Sequence, residues 1–273
     1  MTLRVAIHQI YYDEPSRQCL DPGFLPLDNA QSPDPGWFEG WPILQYLQSH
    51  TLEEDVWYGF LSPRFRHKSG CDSAQVFAFL SSLPPQTEVA LFSPGWDQLC
   101  YFQNPWEQGQ AWHPGLSEAM QAFLQHIGQS QPLSAIVTDV TTSVFSNYVV
   151  AKKRYWLAWQ HLTEQMMAFA NAHPSWGQQQ VPYGRLENHQ SIKAFLQERL
   201  ASYVLATQPF RTAVCTRAHR QRIFERLFPS GEADRRLFAL CDHFKRQYRK
   251  SANPAFLSAF MDTRKHIAFK HPY

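Results

Sequence analysis

The feature that most narrows what this chain can become is the order of its apolar periods. Up to residue 151, short runs of β-branched and aromatic residues alternate with segments of helical spacing, and from Lys152 onward the spacing is almost wholly helical. Strand side chains alternate faces and helical ones recur every three to four residues, so the two textures separate on the page. This order predicts an α/β fold, with a mixed sheet flanked by helices from residues 1–151 and a mainly helical part from 152–273 packed on it. A single domain over 1–273 is expected.

Leu3–Tyr12 reads as a first, central strand, broken by Asp13-Glu14-Pro15-Ser16. The Pro- and Gly-rich stretch Gln18–Trp41 predicts a long ordered loop. A helix follows over Trp41–Leu52, then a strand over Val56–Leu61 and a basic loop, Ser62–Lys68. Ser73–Leu83 is a second helix with Ser73 as its N-cap. Strands are expected at Glu88–Ser93, Ser134–Val140 and Val144–Ala151, with a helix at Leu116–Ile127 between them. The helical part runs as Lys152–Ala172, His189–Ala206, Arg217–Leu227, Glu232–Arg249 and Pro254–Phe269.

Composition sets the class. Apolar residues make up 44% of 273 positions and charged residues 18%, which is a folding mixture with enough chain for a core. The net charge of +2 is too small for a general polyanion binder, so no nucleic-acid partner is expected. Basic residues gather at Arg217, Arg220, Arg222 and Arg226 and again at Lys245, Arg246, Arg249 and Lys250. Acidic residues interrupt them, as on a solvated helix face. Five widely spaced cysteines, with no C-x-x-C pair, argue against a zinc site and fit a reducing, cytoplasmic compartment. The start, Met1-Thr2-Leu3-Arg4-Val5, lacks a signal-peptide pattern, and no stretch approaches the ~20 apolar residues that span a bilayer. Any work at a membrane is therefore expected from its inner face.

Four segments carry candidate chemistry. Ser93–His113 interleaves Asp97, Gln98, Gln103, Asn104, Glu107 and His113 with Trp96, Tyr101, Phe102, Trp106 and Trp112. Amides and carboxylates read sugar hydroxyls, and flat rings cover the C–H face of a sugar; the competing reading is an ordered surface loop. Asp97, Glu107 and His113 are the candidate acid–base groups. Arg64, Arg66 and Lys68 could neutralise a diphosphate or simply face solvent. Asn147 and Lys152 sit where a strand enters the long helix, Asn147 also reading as a buried structural amide. In Lys193–Tyr203, Glu198 and Arg199 interrupt an apolar stripe; they either anchor a loop or line a cleft, and the anchoring role is the expected one. No phosphate loop, dinucleotide fingerprint, nucleophile elbow or zinc-protease motif is spelled out.

The order VAIHQIYY, WYGFLSPRF, NYVVAKKRYWLAW and KAFLQERLASYVL resembles GT-A-like glycosyltransferases of bacterial polysaccharide gene clusters, over about two-thirds of the chain. The resemblance implies a GT-A-like (Rossmann-like) sheet, a nucleotide-sugar donor, and a glycan or lipid-linked acceptor. Gln9, Tyr11, Arg64, Arg66, Lys68, Trp96, Gln98, Gln103, Asn104, Trp112, Asn147 and Lys152 are the residues expected against substrate. GT-A enzymes commonly hold a divalent metal through Asp-any-Asp. That motif is missing here, and Glu53-Glu54-Asp55 precedes a strand rather than following one. No cofactor is therefore expected, a divalent metal being the alternative, and the cations Arg64, Arg66, Lys68 and Lys152 would take the metal's part. The rival reading is a non-catalytic carbohydrate-binding partner in a glycan-synthesis complex.

Overall fold

In a computed structural model of the chain, residues 3–220 and 227–272 are described. The first strand is β1, Val5–Tyr11, and the short helix α1, Glu14–Gln18, follows it. The Pro-rich stretch is not all loop. It contains an edge strand, β2, Leu25–Asp28, and a 3-10 turn at Pro35–Trp37. Next come α2, Gly40–Ser49, and β3, Trp57–Leu61. The basic segment expected as a loop forms a short helix, α3, Phe65–Ser69. Helix α4, Ser73–Ser81, is capped by Asp72 rather than Ser73, because the Asp72 carboxylate accepts from the Gln75 amide.

After β4, Val89–Leu91, the aromatic stretch folds into two helices, α5 Trp96–Tyr101 and α6 Pro105–Trp112. Asn104 starts α6, its side-chain oxygen accepting from the amides of Trp106 and Glu107. Helix α7, Leu116–His126, is followed by a 3-10 turn at Leu133–Ala135 and irregular chain where a strand was expected over 134–140. The backbone there is satisfied by side chains instead of a ladder: Gln103 and Asn104 donate to the carbonyls of Leu133, Ser134 and Ile136. Strand β5 is short, Val149–Ala151, and leads into the long helix α8, Lys153–Ala172.

A one-turn helix, α9 Pro174–Gly177, precedes a hairpin that the polar sequence did not announce, β6 Gln180–Tyr183 and β7 Arg185–Ser191. It is followed by α10, Ile192–Thr207, and a three-residue strand, β8 Thr212–Val214. The helix expected at 217–227 lies largely outside the described residues, its start forming a 3-10 turn at Ala218–Arg220. Two C-terminal helices close the fold, α11 Arg235–Ser251 and α12 Pro254–Arg264.

The main sheet runs β2-β1-β3-β5-β4-β8. β1 pairs in parallel with β2 and β3, and β4 with β8, whereas β5 is antiparallel to both β3 and β4. Five strands therefore point one way and β5 the other. Gly59 makes the centre possible, since a Cβ there would lie 2.9 Å from Val150 Cγ2 and 3.1 Å from Ile7 Cγ2. The largest apolar cluster joins both halves of the chain: Ile10, Phe60 and Leu91 of the sheet pack with Trp156, Trp159, Leu196 and Leu200 of α8 and α10. α10 is buried around most of its circumference because α2, α6, α7 and α8 surround it. Not all of the basic C-terminal run is solvated: Lys245 is wholly buried, its ammonium donating to the carbonyls of Leu99 and Phe102 at the end of α5. Among the described residues, no helix is long and apolar enough to cross a membrane.

Candidate active site at the sheet edge

In an open α/β sheet the strand C-termini end on a crevice where backbone groups and loop side chains converge. Here that edge is formed by Tyr12 after β1, Ser62 after β3, Ser93 after β4 and, because β5 runs the other way, the residues entering it. Ser146 and Asn147 enter β5 with φ of 58° and 54°, left-handed values that side chains other than glycine adopt at a cost. Their neighbours hold them there. The Lys68 ammonium on α3 donates to Ser146 Oγ at 3.0 Å, and Asn147 Nδ2 donates to Gln197 Oε1 of α10 at 2.8 Å. Ser62 Oγ and the Tyr148 hydroxyl lie 2.7 Å apart. Gln197 also touches the start of α2, where a Cβ on Gly40 would come within 3.1 Å of its Oε1.

This packing draws Glu198, one residue beyond Gln197, into the crevice with Glu39 and Lys68. The Glu198 carboxyl is recessed but keeps partial solvent contact. Burial pushes its pKa up to about 7; the Glu39 charge adds to the rise, and Lys68 and Arg199 oppose it. A carboxyl that is half ionised near neutrality can take or give a proton at working pH. Burial, then Glu39, also drive the Tyr12 phenol far above its usual value. The Tyr12 hydroxyl lies against the Glu39 carboxylate, and Asn147 Oδ1 is buried with no hydrogen-bond partner among the described residues, so it suits a ligand's polar group or water.

The residues expected against substrate are dispersed. Lys68, Asn147 and Arg64 are at the crevice; Arg64 is exposed and its charge reaches Tyr148. Arg66 is exposed and acts on Asp21. Gln9 is buried and structural, donating to Ser62 O at 3.2 Å and accepting from the Asp21 amide at 2.7 Å. Tyr11 lies beside Asp28 and under the Arg17 guanidinium. Lys152 sits at the opposite sheet edge, beyond the last residue of β5, where it donates to Pro85 O and covers the Trp57 ring.

The Trp- and amide-rich segment is mostly core. Asp97 is buried and accepts from the Gln98 amide. Gln98 Oε1 accepts from Gln108 and Trp112, and Trp96 packs on Phe238 under the Arg235 guanidinium. His113 stacks 3.6 Å from Phe195 and donates from Nδ1 to Pro182 O. Burial, helped by Arg199, pushes its pKa down to about 3, so it stays neutral and a weak base. Only the other end of the segment opens outward. Gln103, Asn104 and Glu107 border a cavity of 590 Å³ with Tyr101, Trp106 and Phe269, and Arg264 pairs with Glu107 at 2.8 Å.

The buried imidazole gives a stability prediction. Its pKa is depressed on folding, so its contribution is intact above about pH 6.5, the unfolded value, and is lost as pH falls toward the folded value. His113→Phe should keep the stack and lose one hydrogen bond, costing about 1 kcal/mol at pH 7.5. At pH 4.5 the wild type carries a penalty of about 2–3 kcal/mol that the variant lacks, so the variant should be the more stable. Urea unfolding at both pH values checks this; an identical difference at each would contradict it.

Glu198, for which the sequence predicts an anchoring role, is instead the crevice's candidate acid–base group. Its signal was present, a carboxylate inside an apolar helix stripe, but only the approach of α3 and the 145–148 turn distinguishes a cleft residue from an anchor. The neighbouring Arg199 is the anchor: it is buried and donates to Pro105 O, Phe195 O and Gln108 Oε1. Comparison with known proteins finds no matching family model, no matching curated protein and no matching solved structure.

Proposed function

We propose that the chain is a glycosyltransferase that uses the sheet-edge crevice, with Glu198 as the base and Lys68 and Arg64 as the cations facing a nucleotide-sugar diphosphate. The observation that carries this reading is the recessed Glu198 carboxyl, poised near neutrality beside the Lys68 ammonium. In the reaction, Glu198 takes the proton of an acceptor hydroxyl as its oxygen attacks the anomeric carbon. The bond from that carbon to the diphosphate breaks, and the leaving charge is met by Lys68 and Arg64. The mixed parallel sheet with one reversed strand supports the GT-A-like likeness. The donor set for a divalent ion is thin: two carboxylates share the crevice with an ammonium, and among the described residues no three His, Cys, Asp or Glu side chains converge.

The test is release of nucleoside diphosphate from a panel of nucleotide sugars, followed from pH 5.5 to 9. Activity should rise with the ionisation of Glu198, with a midpoint near 7. Lys68 holds that pKa down, so Lys68→Met should move the rise to higher pH as well as weaken donor binding. A profile flat across this range, or unmoved in Lys68→Met, would contradict the assignment.

A carbohydrate-binding role is the second reading, and the 590 Å³ cavity favours it. Its wall combines rings with amides, and the buried Trp106 indole N–H has no hydrogen-bond partner among the described residues. Oligosaccharide binding with no nucleotide-sugar turnover would select that reading.

A further inference from the structure

We infer that Cys71 and Cys215 form a redox-modification site, a dithiol that a peroxide-class oxidant converts to a disulfide joining α3 to the end of β8. The two sulfurs are 3.9 Å apart although the residues are 144 positions apart in the chain. Each is fixed by its own element. Cys71 follows Gly70, the left-handed residue that ends α3. The Cys215 amide donates to Leu91 O at 2.8 Å, which extends the β4–β8 pairing past Val214. A disulfide needs the sulfurs at about 2.05 Å, so an approach of about 2 Å, within the reach of side-chain rotation, closes the bond.

The two thiols are chemically unequal, as attacking and resolving groups are. The contact with Cys71, backbone amides of Arg217 and Ala218 and the Arg217 charge lower the pKa of the Cys215 thiol, while the same contact and burial raise that of Cys71. Cys215 is also the nearer to solvent, at 7% exposure against 0%, and Thr216 and Arg217 beside it are exposed. The Cys215 thiolate attacks one peroxide oxygen; an S–O bond forms, the O–O bond breaks and the departing oxygen takes a proton to leave as water. The Cys71 sulfur then attacks the Cys215 sulfenic sulfur. An S–S bond forms, and the hydroxide released combines with the Cys71 proton as a second water. Two thiols lose two electrons and the peroxide gains them. Among the other cysteines, Cys19 is exposed on its own, and Cys100 and Cys241 lie buried in the α5–α11 core.

The experiment treats the folded full-length chain with hydrogen peroxide at pH 7, then digests it without reduction for mass spectrometry. The expected product is a peptide pair linked through Cys71 and Cys215, with two thiols lost per chain from this pair and both restored by dithiothreitol. The oxidised protein should also melt several degrees higher, because the bond closes a very long loop. In Cys71→Ser, dimedone should trap a sulfenic acid on Cys215; in Cys215→Ser, Cys71 should stay a thiol. Oxidation of Cys19 with Cys71 and Cys215 both left reduced would overturn the inference. So would a link that forms only when urea is present.

Discussion

Glu198→Gln is expected to lower sugar transfer at pH 8 by at least about 100-fold while making the protein more stable, the size reported for loss of a positioned general base. The two effects share one cause. The folded pKa of Glu198 is raised from 4.5 to about 7, so the folded state holds its proton more tightly than the unfolded one. Stability from this group is therefore fully present below pH 4.5 and is lost as pH rises through 7. The loss amounts to about 3 kcal/mol at pH 8 and under about 1 kcal/mol at pH 5. Gln keeps the shape and cannot ionise. The variant should thus melt on the order of 8 °C higher than the wild type at pH 8 and nearly level with it at pH 5. Full activity in the variant removes Glu198 from the chemistry; a melting difference that does not change with pH removes the strained carboxylate.

Arg199→Met should act on the fold instead. Arg199 is 4% exposed, and two of its three hydrogen bonds tie α10 to the start and middle of α6, the third returning to Phe195 O within α10. Met fills much of the volume but removes the bond to Pro105 O and leaves Gln108 Oε1 buried without its donor. The expected cost is about 3 kcal/mol, read as a lower urea midpoint with an unchanged slope. A cost under about 1 kcal/mol would mean that water or a rearranged Gln108 replaces it. Neighbours on one helix turn thus carry opposite predictions, one for catalysis and one for stability.

Most strands and helices of the fold were legible because apolar runs such as VWYGFL and EVALFS are buried on both faces and flanked by turn residues. The stretch SAIVTDV misled for the same reason. It is as apolar as a strand, but Gln103 and Asn104, some thirty positions earlier, take its carbonyls. The hairpin β6–β7 was hidden because its sequence, QVPYGRLENHQS, is too polar to show a period of two. The aromatic segment predicts a cleft wall, yet its rings chiefly fill the space between α5, α6 and the C-terminal helices α11 and α12, with Trp106 facing α10. Composition cannot separate those outcomes: Trp and Gln serve a buried network such as Gln98–Gln108–Trp112 as well as a sugar site. The crevice itself depends on long-range approach. Lys68, Ser146 and Glu198 come together only when the sheet forms, and no local pattern links them.

The most direct test of the central claim, that the sheet edge at Lys68 and Glu198 holds a diphosphate, is calorimetric titration of nucleoside diphosphates into the wild type, Lys68→Met and Lys152→Met. The two lysines lie at opposite edges of the sheet, so the comparison separates a local site from general positive charge. Binding by the wild type, weakened at least about tenfold in Lys68→Met and unchanged in Lys152→Met, is the expected result. No binding of any nucleoside diphosphate, or equal weakening by both substitutions, would contradict it.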